Sequence, residues 1–305
     1  MNKYEPDEIL NLAIMSKTPY VIVEGVDDIR IYEEISRTAG VQCEIYSVEM
    51  LEGIAGGNDG VIEAMGVVES LNMPNGKSAN QFIIGIIDSD ARCYRNEMPV
   101  LASIFALRAY SIESHFVSEY AIKPSIDRLT RISLRDEVDV KSIYREIESN
   151  ISDIYYFSLD ALKNAVDPGY SSIVGFSASA GRRRDQNTIS ALQARIDNLD
   201  AFADVFGLTR DIESLKKFVK GKWLLTAFSE ELFKEISQLV AKCKGLAVKQ
   251  CSMCELDSSA PCLYQLRDGL GKNSLYSILK DFVDMPDFDY IRDKFRLLAA
   301  TAAQN

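Results

Sequence analysis

The stretch Val21-Ile22-Val23-Glu24-Gly25-Val26-Asp27-Asp28-Ile29 decides the fold. It reads as a short apolar strand ending in a carboxylate, then a glycine turn, then a helix that opens on two further acids. An answering stretch, Ile83-Ile84-Gly85-Ile86-Ile87-Asp88-Ser89-Asp90, reads as a second buried strand ending in Asp-x-Asp. Continuous apolar runs of this kind mark parallel strands covered on both faces. In open parallel sheets, ligands sit beyond the carboxyl ends of the strands. Two such strands side by side would therefore bring Glu24, Asp88 and Asp90 to one edge. Carboxylates that close repel one another unless a cation neutralises them. Carboxylate oxygen together with water is the ligand set of Mg²⁺.

Outward from these strands, residues 7–16 have the spacing of an amphipathic helix, with Pro6 suited to its first turn. The first strand spans 20–23, a helix 27–37 and an alternating second strand 43–48. Residues 53–57 form a glycine-rich loop that reads as a tight β–α turn, with a phosphate cradle as the alternative. Asn58 or Asp59 is placed to cap a helix running to residue 71. Residues 72–80 read as a loop, 82–87 as the third strand and 104–110 as a fourth. Strands alternating with helices predict a parallel α/β sheet. From residue 121 the pattern turns helical, over 138–149, 153–166, 188–206, 211–219 and 229–243. The expected architecture is a helix-flanked parallel sheet in residues 1–122 followed by a mostly helical region, 123–305.

Taken together, Val23-Glu24-Gly25-x-x-Asp28, Gly56-Gly57-Asn58-Asp59 and Asp88-x-Asp90 resemble the TOPRIM domain over residues 19–120. That domain serves topoisomerases, primases and OLD-type nucleases, and the pattern is most similar to the OLD-like TOPRIM proteins of bacterial phage defence. Chain length and Gly221-Lys222 extend the resemblance to AriB-type effectors of the PARIS (phage anti-restriction-induced) system. The resemblance implies a TOPRIM-type fold and a Mg²⁺-dependent endonuclease, Mn²⁺ also serving, with Glu24, Asp88 and Asp90 holding the metal. Asp28 then reads as a further ligand or as a partner of its helix dipole. Glu113, just past the fourth strand, matches a glutamate that serves a second metal or positions substrate. The resemblance also implies a toxic effector of abortive infection, cleaving tRNA once released by an AriA-like ATPase partner. A DNA-cleaving OLD-type nuclease is the near alternative. A non-enzymatic acidic module that docks a basic partner is the distant one.

Composition limits these readings. Of 305 residues, 45 are acidic and 34 are Lys or Arg, a net charge of −11. Residues 1–100 hold 17 acids and 7 bases, whereas the rest of the chain is nearly balanced with 28 and 27. A polyanion would be repelled by the acidic part unless a cation or a basic surface helped. The one concentrated basic run, Arg182-Arg183-Arg184, is the candidate nucleic-acid contact. A homodimer that lends this run to the partner's metal edge is the expected active form. No apolar run is long enough to span a membrane, and no G-x-x-x-x-G-K-[ST] pattern occurs, so ATP use is assigned to a partner. Cysteine usage fits a reducing cytoplasm. Cys243, Cys251, Cys254 and Cys262 offer the four thiolates of a zinc site, but their irregular spacing favours free thiols. His115 reads as a surface or helix-start residue with a catalytic role as the alternative, and Trp223 as core or interface.

Overall fold

The computed structural model describes residues 3–71, 73, 77–133 and 135–304. The loop expected at 72–80 therefore lies partly outside the described residues, as do its Pro74, Asn75 and Gly76. The chain divides into two compact units, 1–111 with 283–305, and 112–282.

The first unit is the α/β one. In chain order it holds α1 (Pro6–Ser16), β1 (Tyr20–Val23), α2 (Val26–Ala39), β2 (Glu44–Ser47), α3 (Gly57–Ser70), β3 (Ile83–Ile87), α4 (Arg92–Arg95) and β4 (Ile104–Ala106). The four strands form one sheet in the order β2-β1-β3-β4, and every neighbouring pair is parallel. The expected sheet flanked by helices is thus present. All residues of β1 and β3 are buried, because helices cover both faces. Gly85 makes one of those faces possible: a methyl group there would lie 2.6 Å from Met65 Cγ and Val61 Cγ1 on α3. Its absence lets α3 lie directly on the sheet and bury Val61, Ala64, Met65 and Val68. The fourth strand ends at Ala106 rather than at residue 110. From Leu107 the backbone turns to serve the loop after β3, as described below.

The second unit holds α5 (Ile122–Leu129), α6 (Val140–Asn150), α7 (Ile154–Val166), α8 (Gln186–Gln193), α9 (Ile196–Phe206), α10 (Ile212–Phe218), α11 (Gly221–Lys244), α12 (Ser252–Leu256) and α13 (Lys272–Leu279). Its centre is α11, which begins eight residues earlier than its apolar spacing suggested and buries Trp223, Leu224, Phe228, Leu232, Ile236 and Cys243. Trp223 donates from its indole N–H to Ala178 O at 3.1 Å and packs edge-on against Phe157. The single helix expected over 188–206 is two, parted at Ala194 and Arg195. Arg195 leaves the helical path to reach Ser171 O, 2.7 Å away, and the Tyr170 hydroxyl.

The single division expected at 122/123 does not describe these units. The final helix, α14 (Asp289–Gln304), returns to the sheet unit. Phe295 packs on Tyr32 of α2, Arg296 Nε donates to Ala39 O at 3.1 Å, and the Tyr290 hydroxyl accepts from Arg108 N at 3.0 Å. Among the described residues no helix is long and apolar enough to cross a membrane.

Candidate metal sites of oxygen and of sulfur

The register pairs Ile22 of β1 with Gly85 of β3. Glu24 and Asp88 therefore follow two and three residues after a shared rung, both beyond the carboxyl ends of adjacent strands. The third motif piece arrives from α3. Asn58 does not cap this helix, whose N-cap is Gly56 with no side-chain hydrogen bond. Instead, its buried amide spans to the Asp88–Asp90 loop. Its Oδ1 accepts from Asp88 N at 3.0 Å, and its Nδ2 donates to Asp90 Oδ2 at 3.3 Å and to Asp88 O at 3.5 Å. Gly57 has φ +85°, and a methyl group on it would stand 3.8 Å from Glu24 Oε1. The Glu-Gly, Gly-Gly-Asn-Asp and Asp-x-Asp pieces thus share one sheet edge.

The Asp88–Asp90 loop is held from its other side as well. Asp90 takes the left-handed backbone at φ 37°, which aspartate tolerates better than most residues. Its N–H donates to Tyr110 O at 3.1 Å, and the Ser89 hydroxyl donates to Leu107 O. The turn of the chain after β4 supplies both acceptors. Asp90 Oδ1 accepts from Arg92 N at 2.6 Å, and Arg92 Nε lies 3.6 Å from Asp90 Oδ2 while its Nη2 reaches Asp59 at 3.0 Å. Both oxygens of Asp90 are therefore engaged with protein donors. Burial, then the charges of Asp90 and Asp88, push the Tyr110 phenol above its usual range. A phenol held protonated in this way is a poor nucleophile.

Oxygen-only donors suit a hard cation. Mg²⁺ commonly binds through one or two carboxylates and keeps several waters, so Glu24 and Asp88 are an adequate protein donor set by chemistry. The geometry, however, does not gather Glu24, Asp88 and Asp90 into one ready ligand shell. Among the described residues, the cysteines form the group that is gathered in that way. Asp28 stands in the first turn of α2, where its N–H donates to Gly25 O at 3.1 Å.

The remaining candidates lie in the helical unit. Glu113 is buried in the turn of 3₁₀ helix Ile112–Phe116, with Lys222 Nζ 3.9 Å away at the start of α11. His115, expected at the surface or a helix start, is buried in the same turn, its Nδ1 3.2 Å from Ile112 O. The arginine run needs correction. Arg183 is only 3% exposed, and its guanidinium is spent on Glu230 at 2.5 Å, Asp153 at 3.3 Å and Ala180 O at 3.1 Å. It cannot grip a phosphate without breaking that network. Arg184 also turns to Glu230, at 2.8 Å, and Glu231, at 3.6 Å. Arg182 and Arg184 are both exposed, and Arg183 alone of the three is buried. Sequence reasoning saw three cations and missed Glu230, which lies on α11 some 47 residues away in the chain.

The sulfur cluster is the tighter of the two groups. The Sγ atoms of Cys243, Cys251, Cys254 and Cys262 all lie within 4.8 Å of one another, and all four residues are buried. Burial opposes the Cys251 thiolate, but hydrogen bonds from the Cys254 and Leu263 N–H groups and from neighbouring thiols outweigh it and lower that thiol to about 7. The segment leading to the cluster, Leu246 to Lys249, lines a cleft of about 540 Å³ with Tyr264 and residues of α6 and α11.

A scan against protein-family models finds no match for this chain, and a search of curated proteins finds no significant relative. The class defined by fold and site is a parallel α/β sheet with an acidic carboxyl edge, joined in sequence to a helical unit.

Proposed function

We propose that this chain is a TOPRIM-like, Mg²⁺-dependent endonuclease whose reaction centre is the carboxyl edge of β1 and β3. The observation that supports it most is the Asn58 bridge. It ties the helix-start turn to the Asp-x-Asp loop, and Gly57 of the same turn lies beside Glu24, so the three motif pieces adjoin. In this reading Glu24 and Asp88 supply the metal carboxylates, and Asp90 fixes the loop through Asn58 and Arg92. A Mg²⁺ ion there would neutralise the phosphate and acidify a bound water. The Asn58 amide holds the backbone of Asp88 and the Asp90 carboxylate, so the loop that carries Asp88 is fixed beside the end of β1.

RNA, and tRNA in particular, is the proposed target, and a toxic role in phage defence under control of an ATPase partner is the proposed setting. Both rest on the motif resemblance. The test incubates purified chain with Mg²⁺ or Mn²⁺ and either total tRNA or plasmid, with Glu24→Ala as control. Cleavage of tRNA that needs metal and Glu24 supports the reading; cleavage of plasmid alone moves the substrate to DNA. Failure to cleave either, with no metal binding that depends on Glu24 and Asp88, refutes the enzyme and leaves the acidic docking module.

A further inference from the structure

We propose that Cys243, Cys251, Cys254 and Cys262 bind one zinc ion in a closed, structural, four-thiolate site. The argument starts from spacing in space rather than in sequence. A tetrahedral zinc with Zn–S bonds near 2.3 Å places its sulfurs about 3.8 Å apart. Cys251 Sγ and Cys262 Sγ are 3.9 Å apart, and all four sulfurs fall within 4.8 Å of one another. A disulfide would need about 2.05 Å. The sulfurs thus stand at the separation that a shared ion sets, not at the separation of a covalent pair.

Backbone donors point the same way. Cys251 N donates to Cys243 Sγ at 3.4 Å, and Leu263 N to Cys251 Sγ at 3.4 Å. Outer-shell hydrogen bonds of this kind orient ligands and spread the charge of a metal–thiolate centre. Four protein thiolates fill a tetrahedral shell and leave no position for water or substrate, which separates a structural zinc from a catalytic one.

The fold supplies the reason for such a site. Between the end of α11 and the start of α13, residues 245–271 contain one α-helix of five residues, α12. A loop that long seldom stays ordered on its own contacts. Its far end is tied to the end of α5 by Arg131 N to Leu263 O, 2.9 Å, and Arg267 N to Leu129 O, 2.8 Å. The near part has Ser252 N on Asp136 Oδ1, 2.7 Å, and then the cysteines. One ion would join the last turn of α11, both ends of Cys251-x-x-Cys254 and the stretch before Leu263 into a single staple. Irregular spacing in the chain is no obstacle when the donors come from three separate segments.

The test measures metal rather than activity. The 305-residue chain, prepared without a metal-binding tag under reducing conditions, is analysed by inductively coupled plasma mass spectrometry. One zinc per chain is expected. A thiol-directed mercurial should release that zinc to a metallochromic dye in step with cysteine modification. Cobalt reconstitution should give the intense visible bands of a tetrahedral thiolate centre. C254S/C262S should lose the zinc; if that variant fails to fold, mercurial release from the wild-type chain decides the question. Protein that takes up neither zinc nor cobalt overturns the proposal, as does an iron chromophore in place of zinc. Zinc retained by a folded C254S/C262S variant would overturn the location.

Discussion

Both units carry metal-type donors, but only the helical unit gathers its donors within 4.8 Å of one another. In the sheet unit the donors are oxygens at an open edge, with Asp90 already engaged by Asn58 and Arg92. In the helical unit they are sulfurs, all buried and within 4.8 Å of one another. The difference follows from ion chemistry. A hard, strongly hydrated cation keeps its waters and completes its shell with substrate, so its protein site stays incomplete and accessible. A structural zinc takes its whole shell from the protein, so its donors must be packed together by the fold. The comparison teaches that a loosely gathered acidic edge suits turnover, whereas a tightly gathered buried cluster suits architecture.

This contrast predicts that substitutions at the edge remove function and spare the fold, while those in the buried networks of the helical unit do the reverse. The largest effect is expected for Glu24→Ala. Cleavage should fall more than about a thousandfold, beyond the 10–100-fold typical of outer-shell partners, with an unchanged circular dichroism spectrum. Retained cleavage would end the metal assignment. Next, Arg183→Ala removes a buried guanidinium from Asp153 and from Glu230, which keeps Arg184 and Lys272, and should cost about 1–3 kcal/mol, read by urea unfolding. If it instead weakened tRNA binding at unchanged stability, the arginine run would regain its nucleic-acid role. Asn58→Ala lies between the two classes. It should cost about 10–100-fold in activity and about 1–3 kcal/mol by leaving the Asp88 N–H unsatisfied. Equal activity would mean that the bridge does not organise the edge.

A smaller effect concerns acid. The two carboxylates on Arg183 are moved in opposite directions. Burial dominates at Asp153 and raises it. At Glu230 burial also opposes the charge, but Lys272, Arg183 and Arg184 outweigh it and hold the group below its ordinary 4.5. A depressed carboxyl contributes stability that is full above its unfolded value and lost as pH falls through the folded one. The Glu230 contribution should therefore be lost below pH 4.5 while Asp153 works in the opposite sense, and Glu230→Gln should make any acid loss shallower while lowering stability at neutral pH. An identical acid slope in the variant would remove Glu230 from the cause. The smallest effect is expected for Arg182→Ala, within about 0.5 kcal/mol of wild type. If this exposed cation meets a phosphate, the log–log salt slope of binding should drop by about 0.7–0.9.

The amino-acid sequence by itself determined the parallel sheet and its acidic edge. Runs such as Tyr20–Val23 and Ile83–Ile87, short, apolar and rich in β-branched residues, read as strands buried on both faces, and Glu24 and Asp88 follow them directly. These are local signals, written within a few residues. Only the tertiary structure decided which partners those residues meet. Asn58 looked like a helix cap, because the chain alone does not say that a loop 30 residues away supplies its partners. Arg183 looked like a phosphate grip until Glu230 arrived from α11, and the irregular spacing of four cysteines gave no sign that three segments bring their sulfurs within 4.8 Å of one another. The return of α14 to the sheet unit was illegible for the same reason. An amphipathic helix shows which of its faces is apolar, but not which surface that face will cover, because the covering surface is assembled by the rest of the chain.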